Sequence, residues 1–203
     1  QGWMLGSFLT GFHTDGLSLL FSAGIALTLP TAYALLGSGW LIMKTEGELQ
    51  RRAVAWGRRV FWPMVVALGA ISLATPLVSP TVFAKWFVLP EFFALLPIPL
   101  ACGAALAAAW LVLHRPRVVE AGYGGVVFVA TVIVFVLAFF GLAYSLYPYI
   151  VIDRLNVWEA ASATGSLWVL LVGVAITLPA IVGYTIFMYR VFWGKARELS
   201  YGP

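Results

Sequence analysis

Few residues in this chain are equipped for chemistry, and their placement argues against most of it. His13 and His114 are the two histidines and Cys102 the one cysteine, which excludes a disulfide within the chain. The histidines fall at opposite ends of the apolar segments, so they cannot share a metal ion, and Cys102 sits among apolar residues, where a thiol behaves as a small hydrophobe. Met4, Met43, Met64 and Met188 read as packing or helix-end residues. The carboxylates are scattered, with no pair at acid and base spacing in an apolar pocket. No Gly-rich phosphate loop or nucleophile motif occurs, and Gly122, Gly124 and Gly125 enter a helix without a preceding strand. No residue is therefore a catalytic, cofactor-binding or metal-ligating candidate.

Two charged clusters remain. In Lys44-Thr45-Glu46-Gly47-Glu48-Leu49-Gln50, Glu48 can pair with Arg51 or Arg52 at helical spacing, and Gly47 permits a sharp change of direction. In the stretch from Asp153 to Ser162, Trp158 is an interfacial anchor and Glu159 sits near the positive end of a following helix dipole. Ser162, Thr164 or Ser166 would cap that helix, because their oxygens satisfy free N–H groups. Capping and solvation account for both clusters; contact with a partner subunit is the functional alternative.

The elements that hold these clusters are apolar. The chain is 62% hydrophobic and 10% charged, with a mean hydropathy of +0.97, against about 45 to 50% and 25% in soluble proteins. Roughly 20 apolar residues cross the hydrocarbon as helix. Five segments qualify: Leu17 to Met43, Val60 to Val78, Phe92 to Leu113, Gly122 to Tyr147 and Leu167 to Val191. Short alternating segments of the β-barrel kind are absent. The expected fold is an all-α polytopic membrane protein. Small residues at Gly24, Thr28, Thr31, Leu35 and Ser38 in the first segment, and from Ala101 to Ala108 in the third, predict close helix approach. The fourth, from Val126 to Leu142, is uniformly bulky and suits lipid or a flat apolar partner.

Charge sets the expected orientation. Of the 12 Lys and Arg, ten lie at Lys44, Arg51, Arg52, Arg58, Arg59, Arg115, Arg117, Arg190, Lys195 and Arg197, and two, Lys85 and Arg154, fall on the other side. Loops rich in Lys and Arg stay in the cytoplasm, which places Lys44 to Arg59 and the C-terminus there and the first residues outside. The pI near 9.4 reflects this retention; it does not indicate nucleic-acid binding. A basic loop at a membrane also meets anionic lipid heads.

A repeat predicts a larger architecture. Gly24-Ile25-Ala26-Leu27-Thr28-Leu29-Pro30 recurs as Gly173-Val174-Ala175-Ile176-Thr177-Leu178-Pro179, in two segments that run the same way across the membrane. A period of four helices follows, with residues 1–59 supplying an outer entry segment, the last helix of one unit and a connector, and residues 60–203 a complete second four-helix unit and a cytoplasmic tail. Three further helices are then expected before Gln1. Pro30 and Pro179 each remove a backbone hydrogen bond and kink their helices. Paired kinks in matching halves can build a substrate site, as in half of a secondary transporter, but no ionisable residue lies centrally in any segment, where transport pathways usually place one.

The stretch from Ala34 to Gln50, ALLGSGWLIMKTEGELQ, resembles the segment ending the fourth helix of subunit II of cytochrome bd-type quinol oxidases. Tyr147-Pro148-Tyr149-Ile150-Val151, Trp158-Glu159-Ala160-Ala161-Ser162, Leu178-Pro179 with Tyr184-Thr185, and Phe192-Trp193-Gly194-Lys195 resemble that family's last loop and helix in order. The resemblance spans about Gly16 to Lys195 and looks nearest the cyanide-insensitive branch. It implies eight helices in two four-helix units within a bacterial inner-membrane respiratory complex, beside a haem-bearing subunit I that oxidises quinol and reduces oxygen to water. Haems b and d and the quinol-oxidising loop would belong to that partner, with lipid, quinone or small accessory subunits as further contacts. An acidic proton-pathway residue of the early helices has no counterpart here. The interface candidates are Trp40, Lys44, Thr45, Glu46, Gly47, Glu48, Gln50, Trp158 and Glu159.

Overall fold

The computed structural model describes residues 1–89, 93 and 95–196. The expectations on Phe92 and Arg197 lie outside those residues. A short helix, α1 (Gly2–Leu9), leads through Gly11 at φ +61° into Asp15, whose carboxylate accepts the Ser18 N–H at 3.2 Å and the Ser18 hydroxyl at 2.7 Å. That cap satisfies the first free donors of α2 (Gly16–Lys44). Thr45 and Glu46 are extended, and Gly47 at φ +66° opens α3 (Gly47–Val78). Ser79 caps α4 (Pro80–Phe87), after which come α5 (Pro97–His114), a π-helical turn at Val119–Tyr123 broken by Gly122, and α6 (Gly125–Leu146). A small hairpin, β1 (Tyr149–Val151) with β2 (Leu155–Asn156), precedes α7 (Val157–Ala160) and α8 (Thr164–Val191).

Five of these helices, α2, α3, α5, α6 and α8, are long and apolar enough to cross a membrane, and the protein is an all-α polytopic membrane protein apart from that hairpin. The second span begins earlier than hydropathy predicts. α3 is helical from Gly47, thirteen residues before Val60, because a helix that continues past the hydrocarbon keeps its backbone bonds while its side chains turn polar. The third span is described from Pro97, and the fourth begins at Gly125, after the Gly122 break at φ +93°.

The buried face of α2 includes Ser18, Ile25, Ala32 and Gly39, with Phe21, Leu35 and Ile42 between them. Each set repeats every seven residues or a multiple of it, the spacing of a left-handed helix seam. Lipid is as apolar as leucine, so close packing must supply the association energy. Small residues provide it: a Cβ on Gly39 would lie 2.9 Å from the Phe128 backbone, and one on Gly57 3.1 Å from the Ser38 hydroxyl. The tightest contact was not foreseen. Gly2 and Gly6, spaced as G-x-x-x-G, seat α1 on Ala26 and Ser22 so closely that a Cβ would sit 2.6 and 2.5 Å from their Cα atoms. The small-residue stripe of α5 packs within the chain only in part: Ala101, Gly103, Ala104 and Ala107 are exposed, Ala105 is half-buried against the core, and Ala109, Val112 and Leu113 are buried. On α2, Leu35 and Ser38 are buried as expected, whereas Gly24 meets nothing within 4 Å.

Both repeat prolines lie inside helices that run on past them, and in each copy the threonine hydroxyl donates to the glycine carbonyl four residues back, Thr28 to Gly24 and Thr177 to Gly173, both at 2.8 Å. The unwound carbonyls that a transporter site requires do not occur at either. The hydroxyls of Ser38, Thr75 and Thr131 also bond within their own helices. Of the side-chain hydrogen bonds between elements, that of the Tyr33 hydroxyl to Gln1 Oε1 lies mid-helix, and those of Lys44, Arg58 and Lys85 lie near helix ends.

Candidate functional site

Because the spans alternate in direction, Lys44, Arg51, Arg52, Arg58, Arg59, Arg115, Arg117, Arg190 and Lys195 collect at one end of the molecule, the basic end, and Lys85 and Arg154 at the other. At the basic end the connector between α2 and α3 closes two helix termini. For its own helix, the Thr45 hydroxyl donates to Leu41 O at 2.7 Å and the Gln50 amide donates to Ile42 O at 2.9 Å. The first adds to the bond that Leu41 O already accepts from the Thr45 N–H, and the second satisfies one of the carbonyls at the end of α2. Glu48 pairs with Arg52, one of the two expected partners, on an exposed face.

Lys44 reaches the other terminus. Its ammonium donates to Phe192 O and Gly194 O, each at 3.2 Å, just past the end of α8. Its Nζ also stands 5.3 Å from the Trp40 ring centre and 5.9 Å from that of Trp193. A cation there meets the negative end of the α8 dipole and two π faces at once. The Trp40 ring meets Tyr189 of α8 at 5.8 Å and Phe128 of α6 at 5.3 Å, both edge-on. Lys44 O accepts from Ala196 N at 2.7 Å, and Glu46 pairs with Lys195 at 3.3 Å. Trp40, Lys44 and Glu46 thus form a clasp on the end of α8, while Thr45, Gly47 and Gln50 shape the joint that presents it.

Elsewhere α8 stands clear: none of its residues is buried. Twenty-eight residues of helix extend ~42 Å, and Trp158 and Glu159 lie beyond the far end, so they do not join the clasp. Glu159 serves a different helix from the one expected. Asn156 Oδ1 accepts from Glu159 N at 2.8 Å and Asn156 N donates to Glu159 Oε2 at 3.1 Å, a capping box on α7. The N-cap of α8 is Ala163, which offers no side-chain cap, in place of Ser162, Thr164 or Ser166. Trp158 is exposed with its ring 6.1 Å from Tyr147.

The same device recurs twice. Arg58 Nε donates to Leu113 O at 2.6 Å, closing the end of α5, and Lys85 donates to Ser145 O at 3.2 Å and to Tyr147 O, closing α6. Partial burial holds the Lys85 ammonium below its ordinary pKa, against the opposing pull of Asp153. Hydropathy could not reveal these long-range partners. A cation near a helix joint was the available signal, and its target carbonyl lies 55 to 150 residues away.

This arrangement binds and positions; it offers no nucleophile beside a base. Among the described residues no group of three or more His, Cys, Asp or Glu is placed to hold a metal ion. A haem needs an axial ligand facing a cavity. His13 is exposed in the turn before α2, His114 lies at the opposite end with Nδ1 2.9 Å from Trp110 O, and Met64 is packed in the core. These residues do not fit a haem. A comparison with curated proteins returns no match. The family model for cytochrome bd terminal oxidase subunit II matches residues 1–192, nearly the whole described chain and both clusters, and the chain therefore belongs to that family.

Proposed function

We propose that this chain is the non-haem subunit of its quinol oxidase and scaffolds the haem-bearing subunit I, where quinol is oxidised and oxygen reduced to water. The observation that carries this reading is α8: an apolar helix of 28 residues with none buried, clasped at one end. A helix held so lightly within its own chain suits packing against another. The donor chemistry supports placing haems b and d on the partner, since the histidines here lie at the two ends and away from the packed core. With Lys and Arg retained inside, the clasp and the C-terminus face the cytoplasm of a bacterial inner membrane. Residues 1–59 then carry the last helix of one four-helix unit and the connector, and residues 60–203 the other unit; the matched Thr-to-Gly bonds in the two repeat copies favour this. Accessory subunits and lipids complete the surface.

The test is assembly against turnover. Glu46→Ala removes the pair with Lys195 and is expected to lower the amount of haem-bearing subunit recovered per chain after gentle solubilisation, with turnover per assembled haem unchanged. Glu48→Ala touches only an exposed pair and should assemble normally. Normal assembly of Glu46→Ala with lost turnover would reverse the assignment and make the clasp part of the reaction.

A further inference from the structure

One cleft at the basic end takes no part in the clasp. Ala34, Gly37, Ser38 and Leu41 of α2 face Trp56, Arg59 and Val60 of α3 across an open groove of about 390 Å³. Its origin is steric. Ser38 and Gly57 bring the two backbones together, and Gly37, whose Cβ position meets nothing within 4 Å, leaves the adjacent floor without a side chain. Since Gly57 lies against Ser38, Arg59 is level with the turn around Gly37, roughly seven residues or ~10 Å inside the end of α2. Arg58 beside it reaches Leu113 O at the end of α5, so two helices mark the same depth. Here the apolar run of α3 begins and its basic segment ends. The groove therefore crosses the level of the lipid headgroups.

Its lining is complementary to one kind of molecule. Leu41, Ala34 and Val60 give apolar walls, and Trp56, 44% exposed, stands at the mouth as an interfacial indole does. Arg59 is exposed, and among the described residues no carboxylate pairs with it; Glu48 and Glu46 are taken by Arg52 and Lys195. An apolar slot with an unpaired guanidinium at headgroup depth matches a phosphodiester that carries a hydrocarbon chain. We propose that this groove is a binding site for an anionic phospholipid, with its phosphate on Arg59 and an acyl chain along Ala34, Gly37 and Val60. The surrounding positive charge disfavours a headgroup that brings its own ammonium, so anionic lipid is preferred over zwitterionic.

The experiment places the full oxidase complex in nanodiscs of equal dioleoyl phosphatidylglycerol and dioleoyl phosphatidylcholine, then counts retained lipid by native mass spectrometry after mild release. The wild type is expected to retain phosphatidylglycerol about fivefold over phosphatidylcholine, the effect of one Arg at an anionic headgroup. Arg59→Gln should abolish that preference and Arg59→Lys keep most of it. Gly37→Leu, which fills the floor, should reduce retention of both lipids while the subunit ratio stays normal. Equal retention of the two lipids by the wild type overturns the proposal, as does an Arg59→Gln complex with unchanged preference. Gly37→Leu that leaves lipid in place but releases the partner subunit also overturns it, by showing the groove to be a protein interface.

Discussion

Lys44→Met is the most direct test of the clasp, because methionine keeps the length and apolar stem of lysine while removing the charge and its donors. The wild-type ammonium makes two hydrogen bonds of 3.2 Å to carbonyls at the end of α8 and faces two indole rings. A cation at a helix C-terminus contributes about 0.3–1 kcal/mol and an exposed cation–π contact about 0.5–1 kcal/mol. The groups share one charge, so the terms are not additive, and a loss of about 1–2 kcal/mol in holding the end of α8 is expected, a factor of roughly 5–30 in the local opening equilibrium. Hydrogen exchange of the backbone amides from Met188 to Ala196 reads this directly; Ala196 N, bonded to Lys44 O at 2.7 Å, is the most informative probe. Exchange there should accelerate by that factor, while amides near Phe21 in the buried face of α2 stay unchanged. Lys44→Arg, which keeps charge and donors, should recover most of the protection. Unchanged exchange in Lys44→Met would refute the reasoning, since α8 would then be held by the Trp40 and Glu46 contacts alone.

Two further outcomes follow from the packing and the caps. Gly6→Val drives branched carbon into the Ser22 backbone, which a Cβ at Gly6 would already approach to 2.5 Å, so thermal unfolding should show a loss of about 1–3 kcal/mol from overpacking; Gly103→Ala, with open space around it, serves as the control and should lose nothing. The Asp15 carboxylate is held below its ordinary value chiefly by the Ser18 hydroxyl and next by the Ser18 N–H. A lowered folded-state pKa means that its contribution is fully present above the ordinary carboxylate range and is lost as pH falls through the lowered value. Asp15→Asn, which keeps an acceptor for the cap but cannot titrate, should therefore lack the part of the wild type's acid destabilisation that arises at this residue, as followed by exchange of the first-turn amides of α2 across acid pH.

How much could be read in advance depended on the range of the interaction. The five spans, the Gly47 turn and the Glu48 to Arg52 pair are local consequences of composition and spacing, and all are present. The start of α3 escaped because hydropathy measures immersion, and the segment from Gly47 to Arg59 is helical without being apolar. The seat of α1 escaped because Gly2 and Gly6 lie in a helix of only eight residues, too short to register as a span. On α5 the opposite error occurred: a run of alanines permits close approach but does not supply the partner, and Ala101, Ala104 and Ala107 stay exposed while Ala105 packs on the core. In the candidate site, residue identity located the connector, yet its targets, Phe192 and Gly194, lie 148 and 150 residues from Lys44. Glu159 was assigned to the right physics and the wrong helix, since Asn156 offered a reciprocal cap three residues upstream.

The clasp also has an order in time. Lys44 leaves the ribosome about 150 residues before the carbonyls it will hold, an interval of roughly 7–30 s at ordinary elongation rates. During that interval α2 and α3 can pair through a two-residue joint while the Lys44 ammonium and the Trp40 ring wait without their α8 partners. Closure then depends on Phe192 to Ala196 emerging, so a chain interrupted inside α8 keeps its helical hairpin but cannot fasten its last helix. The connector therefore fastens α8 only once that helix and the residues just past it have been made.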